Sequence, residues 1–335
     1  MSTRTDIRAA LAGAQAKRQC LRLQQRGDIA HMARMAEAGI VTRPYPSMYV
    51  ERQYWDELNP IERTLHIMRT LAEHHPSMVF AGLSAASAWG FEQSFKLHAD
   101  DGRITLAANT GTTRSGYCEQ VRRLYMPQAE VDGAHSIGGI RVTSAARTLF
   151  DCGRLYEPRS ALALFDSALR RNVLTKEDLV QYCDEPRRTR NQHQSLALAQ
   201  LATGLSENGG ESFCYATMAE EGVMLPEQQV EFPDSHNPNR IHRVDYLWRL
   251  DDGQLIAGEF DGQQKYVDPS MTNGQTVSGI VDQERSRQES LRLGGVTKIV
   301  RWFFMDAVAR RPLVDKLAAA GVPIGPRRSL WRRSG

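Results

Sequence analysis

The sequence predicts a mixed α/β (α+β) protein built from three folded domains. Its 335 residues exceed the length of one typical domain. Hydrophobic residues make up 41% of the chain and charged residues 24%, which is the balance of a globular protein with enough apolar residues for real cores. After the glycine pair at 209–210, the predicted elements follow the order α-β-β-β-α-β, and this order favours a mixed sheet covered by helices.

The first predicted domain, residues 1–58, has the outline of a winged helix-turn-helix. Residues 5–25 are rich in Ala, Leu, Arg and Gln and predict a helix, and a second short helix over 28–38 ends at Gly39. Residues 40–50 predict a short ribbon. Helix, turn, helix and ribbon is an arrangement that places a helix in a DNA groove. An N-terminal helical hairpin without that function has the same pattern.

Residues 59–185 predict a second α/β domain. Its helices are expected at 60–73, 79–91, 145–152 and 159–171, and its strands at 103–108, 117–125 and 140–142. A basic segment, 186–208, is predicted as a linker or helix that leads to the last domain, 209–325. Residues 326–335 form a basic tail.

The last domain contains the α-β-β-β-α-β series. A helix is predicted over 211–221, three strands over 228–232, 242–250 and 254–261, a helix over 281–293, a strand over 297–303 and a closing helix over 306–320. Three aromatic residues at the end of the last strand, Trp302, Phe303 and Phe304, are expected in the core rather than as a base-stacking surface.

Acidic residues interrupt two of these apolar strands. Asp245 lies inside the run 244–248, and Glu259 and Asp261 lie two residues apart at the end of the next strand, where they share a face. A hairpin between the strands brings Asp245 to the same edge. Carboxylates in apolar strands are costly unless they are paired or bound to a cation. The pattern predicts a Mg²⁺ or Mn²⁺ site; the alternative is that these acids pair across the sheet with Arg243, Arg285 or Lys298.

Asp245 after Val244, followed by the run Glu259-Phe260-Asp261-Gly262, resembles the PD-(D/E)XK nuclease superfamily and, more narrowly, its very-short-patch-repair endonuclease-like branch. The resemblance covers residues 209–303. It implies a restriction-endonuclease-like fold in which Asp245 and Glu259 hold the metal, with Glu211 of the leading helix as a further ligand. Asp261 and Lys265 complete the catalytic set that the resemblance implies.

Two positions depart from the nuclease pattern. Asp261 replaces the lysine usual two residues after the glutamate, and Lys265 replaces the histidine of this branch. Lys265 is able to orient the attacking water or to stabilise the developing phosphorane charge, while the metal activates water and clamps the phosphodiester oxygens. The same departures also fit a module that only binds.

A second resemblance lies in the first two-thirds of the chain. The run 142–151, Val-Thr-Ser-Ala-Ala-Arg-Thr-Leu-Phe-Asp, and the run 84–90, Ser-Ala-Ala-Ser-Ala-Trp-Gly, resemble AbiEi-like antitoxins of type IV toxin–antitoxin systems. The resemblance covers residues 15–185 and implies a winged helix that binds promoter DNA. From the residues alone, Arg147 and Arg170 are expected to be structural and to pair with Asp151 and Asp166.

Charge is distributed unevenly although the net charge is only +3. Basic residues concentrate at 4–26, 187–190 and 327–333, and such local patches neutralise phosphates. The chain contains no Walker loop and no GxSxG motif, so nucleotide-driven and serine-hydrolase chemistry are not expected. The residues expected to contact DNA are His31, Arg34, Arg43, Arg18 and Arg22.

The sequence therefore predicts a DNA-binding prokaryotic protein of defence or toxin–antitoxin type with a Mg²⁺- or Mn²⁺-dependent DNA endonuclease domain. The alternative is a non-catalytic transcriptional repressor or antitoxin with a silent nuclease fold, and a third option is an interaction scaffold without DNA affinity. A cognate toxin or defence partner and a second copy of the chain in a homodimer are further candidate partners. No long apolar stretch or signal-peptide run occurs, so a cytoplasmic protein without a membrane partner is expected.

Overall fold

The computed structural model describes residues 4–109, 119–187, 189–234, 237, 239–261 and 277–327. These residues form helices and several small sheets, which confirms the predicted mixed α/β class. The chain divides into two compact units. The first comprises Met1–Tyr156 and Glu177–Ser195, and the second comprises Glu157–Lys176 and Leu196–Gly335.

The first unit opens with two helices and a small antiparallel sheet. The elements are α1 (Arg4–Ala16), β1 (Leu21–Arg22), α2 (Arg26–Glu37), β2 (Val41–Tyr45) and β3 (Met48–Glu51). The strand order is β1-β3-β2. Ile7 and Leu11 of α1 are buried against Met32 of α2 and against Val41 and Tyr49 of the sheet, so one small apolar core holds these elements together.

The next elements of the chain complete most of the first unit. They are α3 (Arg52–Glu57), α4 (Pro60–His74), α5 (Gly82–Trp89), α6 (Phe95–Asp100), β4 (Ile104–Ala108), β5 (Val121–Tyr125), α7 (Gln128–Asp132), β6 (His135–Ile137), β7 (Ile140–Val142) and α8 (Ala145–Leu155). β4 and β5 are parallel, and β6 and β7 form an antiparallel pair. A shared core includes Met48, Met68, Phe80 and Val142, so the N-terminal elements and the following helices are one packed body.

The prediction of a single helix over residues 5–25 is wrong. Helix α1 ends at Ala16, and Arg18 adopts a left-handed backbone conformation with φ 53°. The reason is tertiary: Cys20 is buried, and its backbone N–H donates to Oγ1 of Thr70 in α4 over 2.8 Å. Leu21 then pairs with Tyr49 in the sheet. Burial of this short extended segment outweighs its helical composition.

A buried ion pair organises α8. Nε of Arg147 lies 2.7 Å from Oδ2 of Asp151 one turn later, and both side chains are buried. Arg154 contacts the other carboxylate oxygen of Asp151 over 2.8 Å. The structural pairing predicted for Arg147 is therefore confirmed.

The rest of the chain contributes further helices and the strands of a larger sheet. They are α9 (Pro158–Arg170), α10 (Lys176–Asp184), α11 (Gln192–Leu201), α12 (Gly209–Glu220), β8 (Glu227–Pro233), β9 (Ile241–Arg249), β10 (Leu255–Asp261), α13 (Val277–Leu293), β11 (Val296–Phe303), α14 (Phe304–Ala309) and α15 (Arg311–Ala320). Helix α9, predicted in the middle domain, belongs to the second unit, where it packs on α12.

The sheet of the second unit has the order β11-β10-β9-β8. The pairs β8–β9 and β9–β10 are antiparallel, whereas β10–β11 is parallel. From α12 to β11 the elements thus follow the order α-β-β-β-α-β. On one face, Leu247 and Ala257 pack against Leu291 of α13.

The other face of this sheet is built on aromatic side chains. Tyr246, Trp248 and Trp302 are fully buried, and the rings of Tyr246 and Trp302 lie 5.3 Å apart. Gly258 lets the tryptophans approach the backbone, because a Cβ there would lie 2.7 Å from ring atoms of both Trp248 and Trp302. None of the helices that the structure describes is both long enough and apolar enough to cross a membrane.

Candidate functional site

Strand β8 is irregular where Gln229 lies opposite Asp245. Gln228 and Val230 pair with β9 on either side of this position, and Gln229 itself has φ 55°. A positive φ is uncommon for a residue with a side chain and marks a local constraint. As a result, Gln229 donates from Nε2 to Oε2 of Glu211 over 3.0 Å, which ties the strand to the start of α12.

Asp245 links the ends of two strands. Its Oδ2 accepts a hydrogen bond from the backbone N–H of Phe260 over 2.8 Å. The regular pairing of β9 with β10 ends at Tyr246, the residue that follows Asp245. The carboxylate of Asp245 therefore takes the place of a backbone acceptor and lies next to Glu259, the residue before Phe260.

Glu259 is buried, with 7% of its surface exposed. Its Oε2 accepts from Nε of Arg301 on β11 over 3.1 Å, and Nη2 of Arg287 on α13 lies 2.6 Å from its Oε1. The contact with Arg287 is an ion pair without hydrogen-bond alignment, since Oε1 has no hydrogen-bond donor among the described residues. Glu259 is thus a buried carboxylate between two guanidinium groups.

Glu211 is the third predicted acid, and it is also buried. It accepts hydrogen bonds from the backbone N–H of Glu207 over 2.7 Å, from Nδ2 of Asn208 over 2.6 Å and from Gln229. Burial, with a smaller contribution from the negative charge of Asp245, raises the pKa of Glu211 to about 7 against the lowering effect of these hydrogen bonds. Glu211 is therefore a carboxyl that titrates near neutral pH.

Two residues of the chain hold Glu211 in place. Asn208 caps α12, and its Oδ1 accepts from the backbone N–H of Glu211 over 3.1 Å. Asp166 of α9 accepts from the hydroxyl of Ser212 over 2.7 Å and from the backbone N–H of Thr203 over 2.9 Å. Asp166 therefore positions the start of α12, a role other than the ion pair with Arg170 that the sequence predicts.

The residues predicted as metal ligands do not form one three-carboxylate group. Within the described ranges, no set of three or more His, Cys, Asp or Glu side chains is arranged to hold a metal. Mg²⁺ is commonly bound through one or two carboxylates with several waters. Oε1 of Glu259 and Oε1 of Gln229 are buried and have no aligned hydrogen-bond donor among the described residues, although Nη2 of Arg287 lies 2.6 Å from the Glu259 oxygen. Asp245 and Glu259 are two carboxylates, the kind of ligand that Mg²⁺ takes, and both oxygens of Glu259 also contact guanidinium groups.

The two remaining predicted catalytic residues follow Glu259. Asp261 is half-buried at the end of β10 and lies opposite Phe303 of β11 in the parallel register. Lys265 lies outside the described residues.

The expected partners of the two strand acids are corrected by the structure. Arg243 contacts Glu207, Lys298 donates to the backbone oxygen of Ala320, and Arg285 is exposed on α13. Instead, the guanidinium groups at Glu259 come from Arg287 and Arg301, which the sequence did not single out. Arginines 285 and 287 differ by two positions on a helix and so point in different directions, which the sequence pattern alone did not resolve.

The predicted DNA-contacting residues lie in the first unit. Arg18, Arg34 and Arg43 are exposed, while His31 and Arg22 are half-buried. Arg34 lies in the last turn of α2, and Arg43 lies in β2. Arg22 belongs to β1 rather than to the predicted helix, and the backbone oxygen of Arg18 accepts from Arg69 over 3.3 Å.

Comparison with known proteins gives no family assignment. No protein-family model matches the chain, and no curated protein matches it significantly.

Proposed function

We propose that the second unit is a metal-dependent phosphodiesterase of nuclease type that acts on DNA. The observation that carries the proposal is the bond from the Phe260 N–H to Asp245, because it fixes the acid of β9 beside the buried acid Glu259 of β10. Oε1 of Glu259, which is buried and has no aligned hydrogen-bond donor among the described residues, supports a cation at this place. The resemblance to the PD-(D/E)XK superfamily rests on these same positions.

The residues of the chain have distinct roles in this proposal. Asp245 and Glu259 hold Mg²⁺ or Mn²⁺, which when bound supplies an activated water and polarises the phosphodiester. Glu211 exchanges protons near neutral pH, as its pKa of about 7 suits a general base or acid. Arg287 and Arg301, which contact Glu259, are placed to bind phosphate oxygens. Asp261 and Lys265 remain catalytic candidates.

A second candidate function is DNA binding without cleavage, as in a transcriptional repressor or antitoxin of a prokaryotic defence system. One observation favours it: Arg287 and Arg301 already compensate the charge of Glu259 without a cation. In this case the exposed side chains of Arg18, Arg34 and Arg43 in the first unit contact DNA phosphates. The resemblance to AbiEi-like antitoxins supports this reading.

A cleavage assay separates the two functions. The full chain is incubated with labelled single-stranded and duplex DNA and Mg²⁺ or Mn²⁺, and compared with Asp245→Asn and Glu259→Gln. Glu227→Gln is the matched control, since Glu227 lies on the same sheet but pairs with Arg249 at the exposed surface. The nuclease proposal expects cleavage that both site variants lose by at least about a hundredfold and the control keeps. If the wild type and the variants bind DNA but none of them cleaves it, the second candidate function is supported.

A further inference from the structure

A basic groove lies between α13 and the edge strand β11. It encloses about 290 Å³ and is lined by Gln288, Arg292, Val296, Thr297, Lys298, Ile299 and Arg301. Three of these residues are cationic, and none of the described residues that line the groove is acidic. We call this feature the α13–β11 groove. Its charge suits an extended anion.

The periodicity of the two elements explains this lining. Gln288 and Arg292 are one helical turn apart and so share a face of α13. Thr297, Ile299 and Arg301 alternate along β11 and share a face of the strand. β11 is an edge strand, because within the sheet it pairs with β10 alone. The groove therefore runs along the edge of the sheet.

The α13–β11 groove leads to the acidic site. Arg301 lines the groove and also donates to Glu259 over 3.1 Å. Two residues further along β11, Phe303 lies opposite Asp261 in the parallel register. The end of the groove at Arg301 therefore lies beside the acids of the neighbouring strand β10.

Phe303 is not a core residue. It is 45% exposed, whereas its neighbour Trp302 is fully buried, because successive side chains of a strand point to opposite faces. The expectation that all three aromatics at this strand end lie in the core is therefore wrong for Phe303, and Phe304 is also 37% exposed. An exposed aromatic ring next to a basic groove is a stacking surface for an unpaired base.

We propose that the α13–β11 groove binds single-stranded nucleic acid, with phosphates along Arg292 and Arg301 and a base stacked on Phe303. A single strand fits because stacking on the exposed ring of Phe303 requires a base face that is not covered by base pairing and stacking in a duplex. The bound strand then continues toward Glu259 and Asp261. The inference rests on the proposed nuclease function for the fate of the strand, but the binding step is independent of it.

Binding measured in EDTA tests the groove separately from catalysis. Fluorescence anisotropy of the full chain follows a labelled oligothymidylate of about ten nucleotides, an oligouridylate of the same length and a matched duplex. The variants are Phe303→Leu, Phe303→Tyr and Arg292→Gln. The matched control is Arg311→Gln, which removes the same charge from an exposed arginine of α15 in the same unit. Thermal unfolding verifies that each variant is folded.

We expect Phe303→Leu and Arg292→Gln each to raise the Kd for single strands by about five- to twentyfold, while Phe303→Tyr and Arg311→Gln leave it within about twofold. Arg292→Gln also lowers the slope of log Kd against log salt by about 0.7. The oligothymidylate and oligouridylate arms show which sugar is preferred.

Tighter binding of the duplex, or equal weakening by Arg292→Gln and Arg311→Gln, overturns the inference, and so does unchanged binding by Phe303→Leu. If the protein binds single strands but shows no metal-dependent cleavage, the groove inference is supported and the proposed nuclease function is refuted. If the protein cleaves DNA and the groove variants cleave it equally well, the nuclease function is supported and the groove inference is refuted.

Discussion

Oδ2 of Asp245 lies 2.8 Å from the backbone nitrogen of Phe260 and accepts its hydrogen bond. One side chain thereby continues the pairing of β9 with β10 past the point where the backbone pairing ends. The bond serves both the fold and the proposed site, because it places the acid of β9 beside Glu259.

The acceptor role of Asp245 is separable from its charge. Asp245→Ala leaves the Phe260 N–H without its acceptor and is expected to lower the free energy of unfolding by about 1–2 kcal/mol. Asp245→Asn keeps an acceptor oxygen and is expected to cost less than half as much. Urea unfolding measures both, with Asp251→Ala in the exposed β9–β10 turn as the control. Equal destabilisation by Asn and Ala contradicts the acceptor role.

Glu211 makes stability depend on pH. Its pKa is about 7 in the folded chain, above the ordinary value of 4.5, so the folded state binds a proton more tightly than the unfolded state. The contribution of Glu211 to the free energy of unfolding therefore falls as pH rises from 4.5 to 7.

Glu211→Gln removes this titration. We expect the free energy of unfolding of Glu211→Gln, taken relative to that of the wild type, to rise by up to about 3 kcal/mol between pH 4.5 and pH 7. Above pH 7 this difference levels off. The amide also loses hydrogen bonds, but that cost is independent of pH. Chemical unfolding at several pH values measures the difference, and a flat difference from pH 5 to 8 contradicts the raised pKa.

Gly258 is a test of the aromatic packing under the sheet. Gly258→Ala puts a Cβ within 2.7 Å of two tryptophan rings and is expected to destabilise the second unit by about 1–3 kcal/mol. Gly13→Ala is the opposite case, because Gly13 lies in helix α1 with open space around it, and it is expected to stabilise by about 0.5–1 kcal/mol. Calorimetry distinguishes the two, and a stable Gly258→Ala protein argues against this packing.

The buried carboxylate of Asp151 is expected to be the costliest acid to neutralise in the first unit. Asp151→Asn leaves Arg147 and Arg154 without their shared charge partner, and the expected loss is about 3–5 kcal/mol. Asp100→Asn is the control, because its pair with Lys96 is exposed and contributes less than about 1 kcal/mol. Similar melting temperatures for the two variants would show that the buried pair is not a structural element.

The fold was predictable from sequence where the local pattern and the tertiary packing agree. The order of elements from α12 to β11 follows from apolar strand periodicity and from turns at Gly222 and Gly253. The pattern misled at residues 17–25, where composition favours a helix but contacts of Cys20 with Thr70 impose an extended segment. A hydrogen bond between residues fifty positions apart leaves no mark in local composition.

The acids of the site were predictable, but their neighbours were not. Asp245 and Glu259 stand out because charged residues interrupt apolar strands. Gln229 and Arg301 do not stand out, since an amide and an arginine in a strand are ordinary surface residues until the register places them at the acids. The consecutive glutamines 228 and 229 at the start of β8 were the available signal for a polar site.

The central claim, that Asp245 and Glu259 form a divalent-cation site, is tested most directly by Mn²⁺ binding measured by electron paramagnetic resonance on the full chain. We expect one bound Mn²⁺ per chain in the wild type and in Glu227→Gln, and loss of this ion in Asp245→Asn and Glu259→Gln, with each variant folded by circular dichroism. Absence of bound Mn²⁺ in the wild type, or equal binding by all four proteins, would contradict the claim.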